Sequence, residues 1–325
     1  MDTINTVTGP CTPDDLGRTL VHEHLLVGFP GWEMDALAPP FDRAEARSRA
    51  VDMMQRLKDH GVKTFLDPCP MDLGRDVEFM AEVSQASGMR IICTTGAYFE
   101  EQGLTYTFRN LPLDDIAAIY EKEITEGIGR TGIKAGLIKV ATGAHHVSEY
   151  ERKLLVAAGR AARRCDVPII THTQEASCGL DQIGILAAEG VPPHRVLVGH
   201  SDGIDDPAYH RSLVEAGAYI GFDRLGIEII LPDAVRVKNI AALVAGGHGA
   251  RVCLSHDSNC GAWLGRPILG PGQVVDPALI PQMLPNWNAV HLFERVIPML
   301  RDAGVPEAAI TTMIDENPTR WFRGN

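Results

Sequence analysis

The chain has 325 residues, 45% of them hydrophobic and 22% charged, with a formal net charge of −12 at pH 7 and a pI near 5.4. This is ordinary globular composition, and an acidic chain without a Lys/Arg-rich stretch repels a phosphate backbone, so no nucleic-acid partner is expected. No apolar stretch approaches the ~20 residues that cross a bilayer, residues 1–10 lack the basic start and apolar run of a signal peptide, and seven scattered cysteines without a Cys-x-x-Cys pair read as reduced thiols. The expectation is a cytoplasmic protein with no membrane association.

In chain order, short apolar runs alternate with longer amphipathic stretches. The runs are Thr19 to His22, Lys63 to Asp67, Arg90 to Thr94, Gly136 to Val140, Pro168 to Thr171, Arg195 to Gly199, Ala218 to Gly221 and Arg251 to Ser255. Each is rich in Val, Ile, Leu or Thr and reads as a strand buried on both faces. Helical patterns lie between them: Arg43 to His60, Asp76 to Ser87, Leu113 to Gly127, Ser148 to Cys165, Leu180 to Glu189, Pro207 to Ala216 and Asp233 to Ala245. Ala289 to Ala303 and Glu307 to Asp315 form a last pair. Gly61, Gly88, Gly190, Gly217 and Gly304 stand just past helical stretches, where a left-handed residue ends a helix. No Gly/Ser-rich or Pro-rich linker divides the sequence, so residues 1–325 are expected to form one (β/α)8 TIM barrel.

Catalytic groups of such a barrel gather at the carboxyl ends of its strands. There the first run closes with His22 and His24, the fourth with Lys139, the fifth with His172, the sixth with His200 and the eighth with Asp257. His22 and His24 share a parity and point to one side; Glu23 points to the other, toward the helices or a neighbouring loop. Imidazoles and a carboxylate from separate strands are a ligand set for zinc or a similar divalent ion. Each histidine alone reads more simply as a polar strand end. Taken together, four histidines and an aspartate at matching strand ends favour metal. Lys139 either snorkels out of the barrel mouth or, if burial lowers its pKa, captures carbon dioxide as a carbamate that bridges two metals.

The segments LVHEH, GLIKVAT, PIITHT, VLVGHSD, IGFDRLG and LSHD, in this order and at these separations, resemble the phosphotriesterase family of the amidohydrolase superfamily over nearly the whole chain. The resemblance implies a binuclear centre. His22, His24 and Asp257 would hold the more buried ion and His172 and His200 the exposed one, with carboxylated Lys139 bridging. The ligand types admit Zn first, and also Co, Mn or Fe. Asp257 would also shuttle the proton of the bridging hydroxide to the leaving group. Relatives suggest a homodimer.

The pocket residues bear on the substrate, a small ester or lactone. Asp223-Arg224-Leu225-Gly226 resembles the Asp-Arg-x-Gly of the lactonase-like branch, whereas true phosphotriesterases carry histidine after the aspartate. Tyr98 matches a tyrosine that in those lactonases sits over the metals and binds substrate; the plain alternative is a loop aromatic. Arg224 is read as a catalytic-rim residue, or else as half of a local pair with Asp223 or Glu228. Residues 260–288 form a long Gly/Pro-rich loop with Trp263 and Trp287, in which Cys260 and Trp263 are expected to line the substrate pocket. Asp67 is read either as a carboxylate orienting a liganding histidine or as a strand-end cap, and His256 as structural. His145, His146, Glu100 and Glu101 depart from the lactonase pattern and read as solvated loop chemistry.

Three readings follow. The first is a metal-dependent lactonase, for acyl-homoserine or other hydrophobic lactones, with incidental phosphotriester hydrolysis. The second is a hydrolase of another ester, a phosphodiester or an organophosphate triester on the same centre. The third is a metal-binding scaffold without activity.

Overall fold

A computed structural model describes residues 2–270 and 272–324. Its centre is an eight-stranded parallel sheet: β1 (Thr19–Leu20), β2 (Thr64–Asp67), β3 (Arg90–Gly96), β4 (Leu137–Thr142), β5 (Ile169–Thr173), β6 (Val196–Val198), β7 (Tyr219–Phe222) and β8 (Val252–Leu254). Strands that are neighbours in sequence are neighbours in the sheet, the order of a (β/α)8 barrel. Both faces are covered: every residue of β2, β4 and β5 is buried, which is why these strands read as continuous apolar runs.

The ends of the sheet meet one step further along the chain. Glu23–Val27 pairs in parallel with Ser258–Trp263, setting Ser258 opposite Glu23 and Asn259 opposite His24, and the Asp257 N–H donates to the His22 carbonyl at 2.9 Å. Here the sequence expectation needs correction. The first run is not one strand through His22; it bends at Val21 and His22. Val21 packs in the lower interior with Leu66, Ile92, Leu137 and Leu197, while His22 serves the site above. Consecutive residues of a regular strand face opposite sides, so both can turn inward only if the strand breaks.

The helical expectations are close. Arg43–Asp59, Val77–Ser87, Leu113–Thr125, Glu149–Cys165, Gly179–Ala188, Pro207–Glu215 and Asp233–Ala245 are α-helices. Asp42, Asp76 and Asp206 cap N-termini, and Ser148 with Glu151 forms a reciprocal capping box. The five glycines expected beyond helix ends all have positive φ, between 69° and 93°. The last pair is less regular than expected, since π-helical turns occupy Leu292–Val296 and Thr312–Glu316.

Some elements had no sequence signal. The hairpin Ile4–Thr6/Gly9–Cys11 and the helix Asn317–Arg323 lie at the amino-terminal face, where Ile4, Leu16, Trp321 and Phe322 seal the lower interior. The 260–288 segment is largely structured, with the Ile268–Gly270/Gln273–Val274 hairpin and short helical turns at Pro277–Leu279 and Ile280–Met283.

Candidate metal centre

At the opposite, carboxyl-terminal face the strand ends converge on Asp257. The Nε2 atoms of His24, His22 and His200 lie 3.1, 3.6 and 3.7 Å from its carboxylate oxygens. Lys139 Nζ lies 3.3 Å from His22 Nε2 and donates to the Thr171 carbonyl at 3.4 Å. The His172 ring meets that of His200 edge-on, with centroids 4.5 Å apart. All four imidazoles and Lys139 are buried. His22, His200 and Asp257 offer ligand atoms within 4.8 Å of one another.

The outward nitrogens are held as well. Asp223 Oδ2 accepts from His22 Nδ1 at 2.8 Å, and Asp223 Oδ1 accepts from His200 Nδ1 at 3.0 Å and from the His200 amide at 2.7 Å. Asp67 takes His24 Nδ1 at 3.2 Å and the Leu25 amide at 2.9 Å. A carboxylate on Nδ1 fixes ring orientation and leaves Nε2 as the inward ligand atom. Sequence reasoning weighed Asp223 only as a partner for Arg224. The available signal was alternation: Tyr219, Gly221 and Asp223 share a parity, and Tyr219 belongs to the interior cluster.

Charge in this enclosure follows from burial. Burial, then the charge of Lys139, lowers the His22 pKa. Burial, then the guanidinium of Arg224, drives His172 and His200 well below the ordinary value. These are neutral imidazoles, the form that binds metal. Burial also brings the Lys139 ammonium down to about 8. Asp257 is held well below the usual carboxylate range: burial would raise it, but the imidazoles of His200 and His22 whenever either carries a proton, a hydrogen bond from His24 and the Arg224 guanidinium prevail. His24 is raised despite burial by its bonds to Asp257 and Asp67, so a cation taking Nε2 displaces a proton. The donor set therefore fits divalent cations: neutral nitrogen ligands, an ionised aspartate and a deprotonatable amine at one buried point. His24, Asp67 and Cys69 also lie close together, but Asp67 already occupies His24 Nδ1, and burial keeps Cys69 a thiol that donates to the Leu73 carbonyl at 3.0 Å.

Tyr98 and Arg224 both border the cluster. The Tyr98 hydroxyl is 3.2 Å from His172 Nδ1, and burial pushes its pKa up. Arg224 Nε donates to Asp257 Oδ2 at 3.1 Å, and the Arg224 amide donates to Asp202 Oδ2. The partner of Arg224 is thus Asp257, just past the eighth strand, rather than Asp223 or Glu228.

Cys260 and Trp263 belong to the segment that follows Asp257. With Trp287, Met53, Phe41 and Leu284 they line a cavity of about 690 Å³ between the 260–288 segment and the Arg43–Asp59 helix, and none of the metal-site candidates lines it. Trp287 connects the two regions, donating from Nε1 to the carbonyls of His256 and Asp257 at 2.9 and 3.1 Å. His145 and His146 are exposed, with His145 Nε2 3.3 Å from Glu175. Glu100 pairs with Arg109.

The sequence profile of the Phosphotriesterase family matches residues 2–322. An aryldialkylphosphatase of Saccharolobus solfataricus is 35% identical over 309 residues, covering 95% of each chain. The solved structure of an organophosphorus hydrolase from Deinococcus radiodurans superposes with a TM-score of 0.92 at 38% identity, covering 99% of this chain and 97% of that one. A mutant of a PTE-like lactonase from Deinococcus radiodurans gives 0.91 at 38% identity, covering 98% of this chain and 100% of that one. A match spanning almost the whole chain, on a barrel whose strand ends carry a buried His/Asp cluster, makes this chain a member of the phosphotriesterase family and a metal-dependent hydrolase.

Proposed function

We propose that the chain, folded as one domain over residues 1–325, is a binuclear lactonase that also hydrolyses phosphotriesters, with His22, His24, Lys139, His172, His200 and Asp257 as the ligand set. The observation that carries this reading is the placement of the Lys139 amine, buried and 3.3 Å from His22 Nε2. An amine with its pKa near 8 is partly neutral at physiological pH, and a neutral amine adds carbon dioxide, releasing a proton from its nitrogen to solvent, to give an anionic carbamate that would serve as a metal ligand. When bound, two divalent cations, Zn foremost, supply hydroxide at neutral pH and a Lewis acid for the electrophilic oxygen.

The chain's own groups account for the rest. Asp257, with one carboxylate oxygen toward His22 and His24 and the other bonded to Arg224, would take the nucleophile's proton and pass it to the leaving group. Tyr98, its hydroxyl 3.2 Å from His172 Nδ1, would donate a hydrogen bond to a lactone carbonyl or a phosphoryl oxygen. Both reactions develop negative charge on that oxygen, so one arrangement of donors serves both. Cys260 and Trp263 would contact substrate only where an acyl chain extends past Trp287 into the 690 Å³ cavity. The protein is expected to act in the cytoplasm as a homodimer on small molecules, with neither nucleic acid nor membrane involved; no helix among the described residues is long and apolar enough to cross a bilayer.

The test is metal analysis with a substrate panel. Purified protein is expected to hold close to two divalent ions per chain, to lose hydrolysis on chelation, and to show a carbamate carbon by 13C NMR. Lactones should exceed aryl esters, phosphodiesters and paraoxon-like triesters in kcat/KM, and Tyr98→Phe should lower lactone turnover. The reading fails if metal-free protein retains full hydrolysis. The relative named aryldialkylphosphatase favours a second reading, a triester hydrolase first; a panel in which triesters lead lactones selects it.

A further inference from the structure

Glu23, between the two histidines of the first strand, has no part in the chemistry above. Its side chain is fully buried and lies in the seam where the barrel closes. Oε1 accepts from Ser255 Oγ at 2.8 Å, the His256 amide at 2.9 Å and His256 Nδ1 at 2.6 Å. Oε2 accepts from the Ser258 amide at 3.0 Å and Ser258 Oγ at 2.5 Å. A carboxylate removed from water costs several kcal/mol unless donors replace its hydration. These five donors do so, and no Lys or Arg pairs with Glu23 among the described residues.

The residues gripped are 255, 256 and 258, which flank Asp257 on both sides. Asp257 itself has φ of 56°. For a non-glycine residue this left-handed conformation costs on the order of 1–3 kcal/mol and persists only where its surroundings fix it. Its amide is tied to the His22 carbonyl, and its own carbonyl and that of His256 are tied to Trp287 Nε1. His256 extends the hold. With Nδ1 donating to Glu23, Nε2 accepts from the Leu292 amide at 2.9 Å, at the start of the π-helical turn Leu292–Val296.

We propose that Glu23 is a positioning residue for Asp257, its carboxylate clamping the backbone on either side of a strained residue while His256 anchors the clamp to the π-helical turn Leu292–Val296. This rests on the hydrolase reading only in that Asp257 is the group positioned. In Glu23→Gln the shape is kept, but one edge of the carboxylate becomes an NH2 facing N–H and O–H donors whichever way the amide turns.

Three readouts apply: hydrogen–deuterium exchange of the 255–260 segment in metal-free protein, zinc affinity by chelator competition, and the pH profile of kcat. Glu23→Gln is expected to speed exchange of the His256, Asp257 and Ser258 amides selectively. Zinc affinity and kcat should fall by about 10–100-fold, the usual loss when a partner that orients a ligand is removed, with KM changed little and the acid limb of kcat displaced. Unchanged exchange in 255–260 overturns the proposal, as does acceleration spread evenly over the whole chain, which would make Glu23 a general stabiliser. If Glu23→Gln does not fold, Ser255→Ala and Ser258→Ala each remove one bond of the clamp, and the same local acceleration is required of both. Wild-type protein that binds no zinc sinks the hydrolase reading and leaves the exchange measurement to decide the clamp.

Discussion

Arg224 Nε lies 3.1 Å from Asp257 Oδ2, so the carboxylate proposed to move the proton has a guanidinium and the His200 imidazole on one oxygen and the imidazoles of His22 and His24 on the other. Arg224 is one of the charges that hold the Asp257 pKa down.

Arg224→Ala removes that charge. A hydrogen bond to a charged group contributes about 1.5–3 kcal/mol, so lactone kcat/KM is expected to fall about 10–100-fold. Losing a nearby cation favours the protonated carboxyl. The acid limb of the rate profile should therefore move to higher pH, and an unmoved limb with unchanged kcat/KM excludes Arg224 from the site's electrostatics.

Loading of the metal-free protein should follow the neutral fraction of Lys139. With a pKa near 8, that fraction falls about tenfold for each pH unit below it. Recovery of activity on adding zinc with bicarbonate is expected to accelerate from pH 6 to about 8 and then level off. Lys139→Ala should recover nothing. A recovery rate independent of bicarbonate and pH rules out carboxylation.

Asp223 holds the outward nitrogens of His22 and His200 together. Asp223→Asn leaves one of these rings facing an NH2 group. Zinc affinity by chelator competition should weaken by about 10–100-fold, and retention of both ions at unchanged affinity would refute the orienting role.

Acid should destabilise the metal-free protein. His172 and His200 have folded pKa values well below the ordinary one, chiefly from burial. The unfolded chain then binds more protons than the folded one below about pH 6.5, so stability falls as pH falls through that range. His22, also lowered by burial, adds to this, whereas His24, raised when folded, acts above about pH 6.5, where it makes stability rise as pH falls. Calorimetry of the metal-free protein is expected to show Tm falling between pH 6.5 and 5.5; a flat or rising Tm in that range contradicts the neutral-imidazole assignment.

Much of the barrel was legible because its strands are buried on both faces and its helices carry capping residues at their ends, as at Asp76, Ser148 and Gly88. The break at Val21–His22 was not, because it arises from the need to seat Val21 in the floor and His22 in the site, a conflict that alternation along one strand cannot express. Nor was the cavity of about 690 Å³ that Cys260 and Trp263 line. Their loop pairs with Glu23–Val27 and leans on the Arg43–Asp59 helix, contacts made between segments more than 200 residues apart.

By itself the sequence determined which chemical groups stand at the ends of the strands, since periodicity of two and helix-end residues are local properties of the chain. Only the tertiary structure decided what those groups become. Asp223 spans His22 and His200, Arg224 takes Asp257, and Glu23 turns from the site to close the seam. The physical reason is that burial and partner choice set protonation and orientation, and both depend on residues brought together from distant parts of the chain.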